Sequence, residues 1–403
     1  MSTITVTGYK EAQQTLSLPD LTQALYDEGA ALMSDVLVNL HGEDHKSRRA
    51  LEMKVFRRDF FSYYEKEVLP PVVEETLRQF VAEGKGDVVE IGYRAMIGLT
   101  ADFAGIDRLQ RTSEETADLV RLLRVFGNAA TVGQFKGTPQ ETEELKQLIV
   151  DGMREFDERF FGPSVARREA LLAKFKNGEI GEDALPRDIL TLLLRNELNL
   201  ELPRERILRE TAFYFLAGAH TSIHSLSHAM HEIFTLCERN PAERERLEKD
   251  VLFLQRCVHE SFRLHPSSPV SKRKAVCPMS LPTGDAATTS DTIVIDLYQA
   301  NRQTEVFGED AKSFNPYRTK IPSRMPYGIT FGVGVHTCLG KNLAAGDLPT
   351  PNTDPETHQL GTVTLLARAF LAHGARPDPS QKAEQDLSTE RETWLSYPIV
   401  FAK

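Results

Sequence analysis

The sequence predicts a mainly α-helical chain with small β-sheets, and three observations lead there. Long stretches between residues 45 and 270 place apolar side chains at helical spacing with few prolines. From Ser267 onward prolines and glycines become frequent and short β-branched runs appear. No internal repeat, low-complexity tract or long linker divides the chain, so residues 1–403 read as a single domain.

Taken in order, the opening MSTITVTGYKEAQQ has no basic segment leading into an apolar stretch. No run anywhere approaches the roughly 20 apolar residues of a membrane span, so the expectation is a cytoplasmic chain without one. Helices are expected from Val72 to Glu83, Glu114 to Phe126, Glu141 to Phe160 and Arg204 to Cys237, where the apolar positions recur every three or four residues. Strands are expected at Thr292 to Ile295 and Tyr397 to Phe401, with loops and short helices around them.

A formal net charge of −10 excludes nonspecific nucleic-acid binding by the whole surface and leaves small molecules or proteins as partners. The four cysteines, Cys237, Cys257, Cys277 and Cys338, include no Cys-x-x-Cys pair, so they read as independent thiols rather than a zinc site or disulfide framework.

The most informative segment runs Phe331-Gly332-Val333-Gly334-Val335-His336-Thr337-Cys338-Leu339-Gly340, followed by Lys341-Asn342-Leu343-Ala344-Ala345. A glycine-rich loop delivers a cysteine to a helix start. Glycines let the backbone approach a flat ligand, and free amides stabilise a thiolate. The spacing Phe-x-x-Gly-x-His-x-Cys-x-Gly resembles the haem-binding loop of the cytochrome P450 family. The resemblance implies the family's triangular single-domain fold, haem b (iron protoporphyrin IX) as cofactor, and Cys338 as axial ligand to its iron. A thiolate in that place pushes electron density toward iron and favours O–O cleavage.

Further segments match in the order the family requires. Glu260-Ser261-Phe262-Arg263 resembles its Glu-x-x-Arg helix, and Phe314-Asn315-Pro316-Tyr317-Arg318 the segment that supplies a second arginine. Together they imply a buried structural triad of Glu260, Arg263 and Arg318. His45 and Arg49, at i and i+4, match the helix that ties down a haem propionate, with Arg273 and His336 as the other propionate candidates. For Arg273 an ordinary solvated face competes, because Lys272 and Lys274 flank it. Phe331, Gly334 and Gly340 of the loop are expected against the haem, as are Ala217 and Gly218 opposite.

Ala217-Gly218-Ala219-His220-Thr221 resembles the family's Ala-Gly-x-acid-Thr segment, with Thr221 as the alcohol that manages protons. His220 occupies the acid's position, so the usual acid–alcohol pair is absent and His220 or an ordered water is expected to relay protons to Thr221. His220, His224, His228 and His231 fall within an arc of roughly 80° on this helix. Such a stripe suits either a second metal or, as favoured here, packed and hydrogen-bonded core histidines flanking the haem pocket. Phe213, Ala217 and the segment near Trp394 are expected to line a largely apolar pocket for a hydrophobic small molecule.

Two departures stand out. Few residues precede His45, which implies a shortened N-terminus. The helix after Cys338 stops at Gly346, where a proline-rich insertion over 346–361 breaks it until a helical pattern resumes from Thr362 to Leu371. The insertion is expected to alter the surface that receives electrons. Lys46, Arg48, Lys54, Arg57, Arg58 and Lys341 form a candidate basic patch for an acidic ferredoxin. The resemblance implies the reaction R–H + O₂ + two electrons + two protons → R–OH + H₂O. Electrons would come from a separate ferredoxin and its NAD(P)H-dependent reductase. A peroxide-using, isomerising or dehydrating haem-thiolate enzyme, and a non-catalytic haem or ligand binder, are the alternatives.

Overall fold

The structure, a computed structural model, describes residues 2–322 and 325–402. Its centre is the 36-residue helix Arg204–Arg239, which starts after Pro203 and ends before Pro241. This long helix buries Ile207, Phe215, Ile223 and Met230 among others, and the Val88–Ala104 helix packs along it as its most extensive neighbour. The Val88–Ala104 helix is apolar nearly all round, which suits a position with protein on every side.

The expected helices are present with extended ends. Leu69–Glu83, Ser113–Ala129 and Pro139–Phe156 cover the first three, the second capped by Thr112. Thr138 and Glu141 close a reciprocal capping box on the third, which widens into a π-helical turn over Asp157–Phe161 before Gly162–Lys176 follows.

Four strands make the main sheet in the spatial order Thr3–Val6, Thr292–Asp296, Val270–Ala275, Leu21–Gln23. Thr3 pairs with Thr292 in parallel register, whereas Val270 opposes Asp296 in an antiparallel pair. The strand expected over Tyr397 to Phe401 is shorter: Pro398–Val400 pairs with Lys85–Asp87 on one side and Arg376–Pro377 on the other. A short helix, Tyr9–Leu16, and two short strands precede His45, and the strands complete this sheet.

The main core gathers the long helix, the Val88–Ala104 and Val251–Leu264 helices and their neighbours. A smaller one lies under the main sheet around Ile293, Ile295 and Phe307. Between the long helix and the loop that carries Cys338 the packing opens into a cavity.

Candidate active site

The cavity has a volume of about 310 Å³. The loop Phe331–Gly340 lines one side, with Cys338 facing in, and Ala217, Gly218 and Thr221 of the long helix line the other. The walls are mainly apolar: Phe56, Met96, Leu99, Phe103 and Phe213 contribute.

The Cys338 loop is held by its own backbone. Cys338 N–H donates to Phe331 O at 2.9 Å, closing the turn over Gly334–His336. Gly334 has φ of 75°, and a Cβ there would come within 3.0 Å of Ser17 Cα and 3.1 Å of Leu16 O. It therefore shapes the loop against residues 16–17 and does not line the cavity, which corrects its expected contact with the haem. Burial pushes the Cys338 thiol up, while the Gly340 amide, the Arg49 charge and Lys341 pull it back toward thiolate.

Two arginines and two histidines sit at the cavity edge. His45 is 3% exposed, its ring lies 4.3 Å from that of His336, and its Nε2 is buried without a hydrogen-bond partner. Arg49 donates to Thr337 O at 2.7 Å. Arg273, on the Val270–Ala275 strand, donates to Ser271 Oγ at 2.6 Å and to Gln23 Oε1. Burial pushes the Arg273 guanidinium down to about 10 and also lowers that of Arg49. Neither arginine has a carboxylate partner among the described residues, although each is largely removed from water. Two such cations around a cavity with a thiol at its centre match a flat, iron-containing group that carries two carboxylates. The donor set fits haem b: Cys338 for the metal, and His45, Arg49, Arg273 and His336 for the propionates.

The helix bearing His45 and Arg49, Gly42–Glu52, is anchored by a buried ionic cluster. Arg48 bridges Glu52 and Glu210, Tyr214 O–H donates to Glu52, and Glu210 accepts the Leu37 N–H at 3.1 Å. Burial pushes both carboxyls up, and Arg48 opposes it. The cluster ties this helix to the long helix. Arg48 is thereby withdrawn from the expected basic patch. Lys46, Lys54, Arg57 and Arg58 of that patch are each paired with a carboxylate: Glu43, Glu197, Asp59 and Asp347.

On the long helix Thr221 faces the cavity and its hydroxyl donates to Ala217 O at 2.9 Å. His220 does not face it, contrary to expectation. A rotation of about 100° per residue turns its ring away, to 3.2 Å from Tyr93 Oη and against Gly127. Burial pushes His220 down to about 3. A direct relay from His220 to Thr221 is not the geometry found. The polar groups that do line the cavity beside Thr221 are Ser222, Ser225, Ser267 and Ser268. Ser225 and Ser267 hydroxyls meet at 3.0 Å, and Ser267 donates to Thr221 O at 3.2 Å. Sequence reading missed these serines; the helical position of Ser225, one turn beyond Thr221, was the available signal.

The histidine stripe packs into the core. His224 lies edge-on to His220 at 4.3 Å, His228 stacks on His265 at 4.3 Å and bonds Glu392 O, and His231 bonds Tyr397 Oη at 3.1 Å. Among the described residues no group of three or more His, Cys, Asp or Glu is placed to hold a metal. Trp394 packs on His231 and Tyr397 rather than lining the cavity, whereas Phe213 lines it as expected.

Behind the cysteine loop, Glu260 accepts from Arg263 at 2.7 and 2.8 Å and from Arg318 at 3.2 Å, all three residues being buried. The insertion begins where the Lys341–Ala345 helix ends, and Thr362–Ala372 resumes beyond it. Its two ends are pinched together at Gly346 and Gly361, where a Cβ on Gly361 would meet Gly346 N at 2.4 Å. Gln255 Nε2 spans Ala345 O, Asp347 O and Leu360 O, and Glu65 accepts the Leu360 and Gly361 amides.

A family profile described as cytochrome P450 matches residues 165–348. Alkane hydroxylase MAH1 of Arabidopsis thaliana is 34% identical over 140 residues, 33% of this chain and 27% of that protein. Cytochrome P450 52A6 of Candida tropicalis is 24% identical over 86% of this chain and 70% of its own. The chain thus spans about a quarter of the first of these relatives and more of the second. Among solved structures, CYP109E1 from Bacillus megaterium in complex with testosterone superposes with a TM-score of 0.73 at 20% identity, covering 99% of this chain and 92% of that one. CYP109B1 from Bacillus subtilis gives 0.71 at 18% identity, over 98% and 93%. The cysteine loop, the threonine and two arginines without a carboxylate partner among the described residues thus gather at one cavity of a chain that shares the cytochrome P450 fold and whose residues 165–348 match that family's profile.

Proposed function

We propose that residues 1–403 form one haem domain that inserts an oxygen atom from O₂ into a hydrophobic small molecule. The observation that carries this reading is that Cys338 and Thr221 face each other across one largely apolar cavity flanked by two unpaired arginines. Haem b, when bound, would supply dioxygen activation, and the Cys338 thiolate would hold its iron.

The chain's own residues do the rest. Cys338 Sγ, eased toward thiolate by the Gly340 amide and Arg49, holds the iron. Arg49, Arg273, His45 and His336 orient the cofactor through its propionates. Phe213, Phe103, Leu99 and Met96 exclude water and take the apolar substrate. Thr221 holds a proton at Oγ1 beside the reacting centre. An apolar substrate accords with the alkane hydroxylase relative and the testosterone-bound neighbour. Electrons come from separate partners, a ferredoxin and an NAD(P)H-dependent reductase, in the cytoplasm.

The test is turnover of the haem-loaded protein with a surrogate ferredoxin system and a panel of fatty, terpenoid and steroid substrates. Thr221→Ala is expected to divert most reducing equivalents to hydrogen peroxide; product formed with undiminished coupling in that variant contradicts the role of Thr221. A second reading, use of hydrogen peroxide as oxidant, is favoured by a cavity lining that holds no Asp or Glu among the described residues, with His220 turned away from it. Product formed from hydrogen peroxide alone, faster than with reductant and O₂, selects it.

A further inference from the structure

A second cavity, of about 480 Å³, lies elsewhere on the molecule and shares no lining residue with the first. The Val88–Ala104 helix separates them at its C-terminal end: Phe103 lines the first cavity and Asp102 the second. Five arginines and three aspartates line it. Most of that charge is already spent. Arg168 is held by Asp188 and Asp107, Arg167 by Asp107, and Arg187 by Asp59.

Arg108 and Arg111 are different. Among the described residues neither forms an ion pair; Arg108 donates only to Thr116 Oγ1 at 3.0 Å, and its Nε is buried without a partner. Both stand close enough to Asp102 to act on its carboxyl, which burial raises and these two charges pull down, so all three groups face one space. The loop that presents them is fixed in advance. Glu115 accepts the Gln110 and Arg111 amides, Ser164 Oγ accepts the Asp107 amide at 2.9 Å, and Arg111 is held at φ of 52°, a conformation a non-glycine residue rarely adopts.

The mouth supplies the second half of a site. Tyr63 is 55% exposed and Leu109 71% exposed, two large apolar side chains on the rim of a cavity whose interior is cationic. Inside, Phe60 carries the Arg187 guanidinium over its ring at 5.4 Å. A guanidinium without an ion-pair partner has donors left for a phosphate's oxygens, and exposed apolar side chains beside it are suited to whatever the phosphate is attached to.

We propose that this cavity binds the phosphate monoester of a small molecule, with Arg108 and Arg111 taking the oxyanion and Tyr63 and Leu109 the apolar body. The reading is independent of the reaction assigned to the first cavity.

The experiment is isothermal titration of the haem-loaded protein with phenyl phosphate, inorganic phosphate and phenol. Phenyl phosphate is expected to bind saturably and more tightly than inorganic phosphate, with phenol weakest. Arg108→Gln and Arg111→Gln should each weaken it by roughly tenfold or more, the loss of one charge-assisted contact. Arg111 is exposed, so its variant keeps the fold even if the Arg108 variant does not. Absence of saturable phenyl phosphate binding overturns the proposal, as does binding that Arg111→Gln leaves unchanged. Vesicles containing phosphatidic acid form the third arm: retention on them in preference to phenyl phosphate overturns the assignment to a small soluble ligand.

Discussion

Removing the Glu260 carboxylate should destabilise the chain by several kilocalories per mole without touching the cavity. One oxygen of Glu260 accepts from Arg263 at 2.7 Å, from Asn315 N at 3.1 Å and from two nitrogens of Arg318 at 3.2 Å; the other accepts from Arg263 at 2.8 Å. Glu260→Ala leaves two buried guanidiniums without their shared counter-charge, a loss of about 3–5 kcal/mol. Each keeps other acceptors: Arg263 still reaches Asn301 O and Ala311 O, and Arg318 still reaches Phe307 O and Asp310. Those bonds place the expectation at the lower end, about 3 kcal/mol, a large share of the roughly 5–15 kcal/mol that holds a typical domain. Urea unfolding of the haem-loaded variant, followed by far-UV circular dichroism, measures it. Glu260→Gln, which keeps the shape and one acceptor oxygen, should lie between wild type and Ala. A Glu260→Ala midpoint within about 0.5 kcal/mol of wild type, the range of ordinary surface changes, refutes the reasoning.

Three more predictions concern charge outside the triad. Burial raises Glu65 to about 7 from 4.5, so the unfolded chain ionises first and wild type should lose up to about 3 kcal/mol as pH rises from 4.5 to 7. Glu65→Gln should flatten that slope, and parallel pH profiles would count against it. His228 is pushed down to about 3 from 6.5 by burial, so the unfolded state takes up its proton first and stability should fall as pH drops from 6.5 toward 3. In His228→Gln the fall between pH 6.5 and 5 should be shallower by at most about 1.4 kcal/mol per pH unit; an unchanged slope would show that His228 does not stay neutral in the fold. Arg58 is 82% exposed beside Asp347, so Arg58→Ala should change stability by less than about 1 kcal/mol, and a larger loss in urea unfolding would mean that this pair holds the insertion in place.

The sequence made the fold class and the axis of the site legible because both rest on local signals. Helical spacing marked the long helix to within two residues of its end, and the cysteine loop and His45/Arg49 line one cavity, with the Glu260, Arg263 and Arg318 cluster packed elsewhere in the core. Side-chain direction was less legible. Gly334 looked like a cofactor contact yet serves the close approach to residues 16–17, a long-range constraint that spacing cannot express. His220 matched a family position, but on a helix the next residue points elsewhere, and the space beside Gly127 decided where its ring went. Arg48 looked like surface charge because its partners, Glu52 and Glu210, lie four and 162 residues away. The paired state of the basic residues also depends on contacts such as Lys54 with Glu197 that only the fold creates. The second cavity left no motif at all, since its arginines come from three separate segments.

The most direct test of the central claim is the reduced, carbon monoxide-bound Soret spectrum of the purified protein beside Cys338→Ser. A strongly red-shifted band that is lost in Cys338→Ser is the predicted result, because only a thiolate axial ligand produces it and only Cys338 faces the cavity. A band of the histidine type, or the same red-shifted band in the serine variant, would contradict the account.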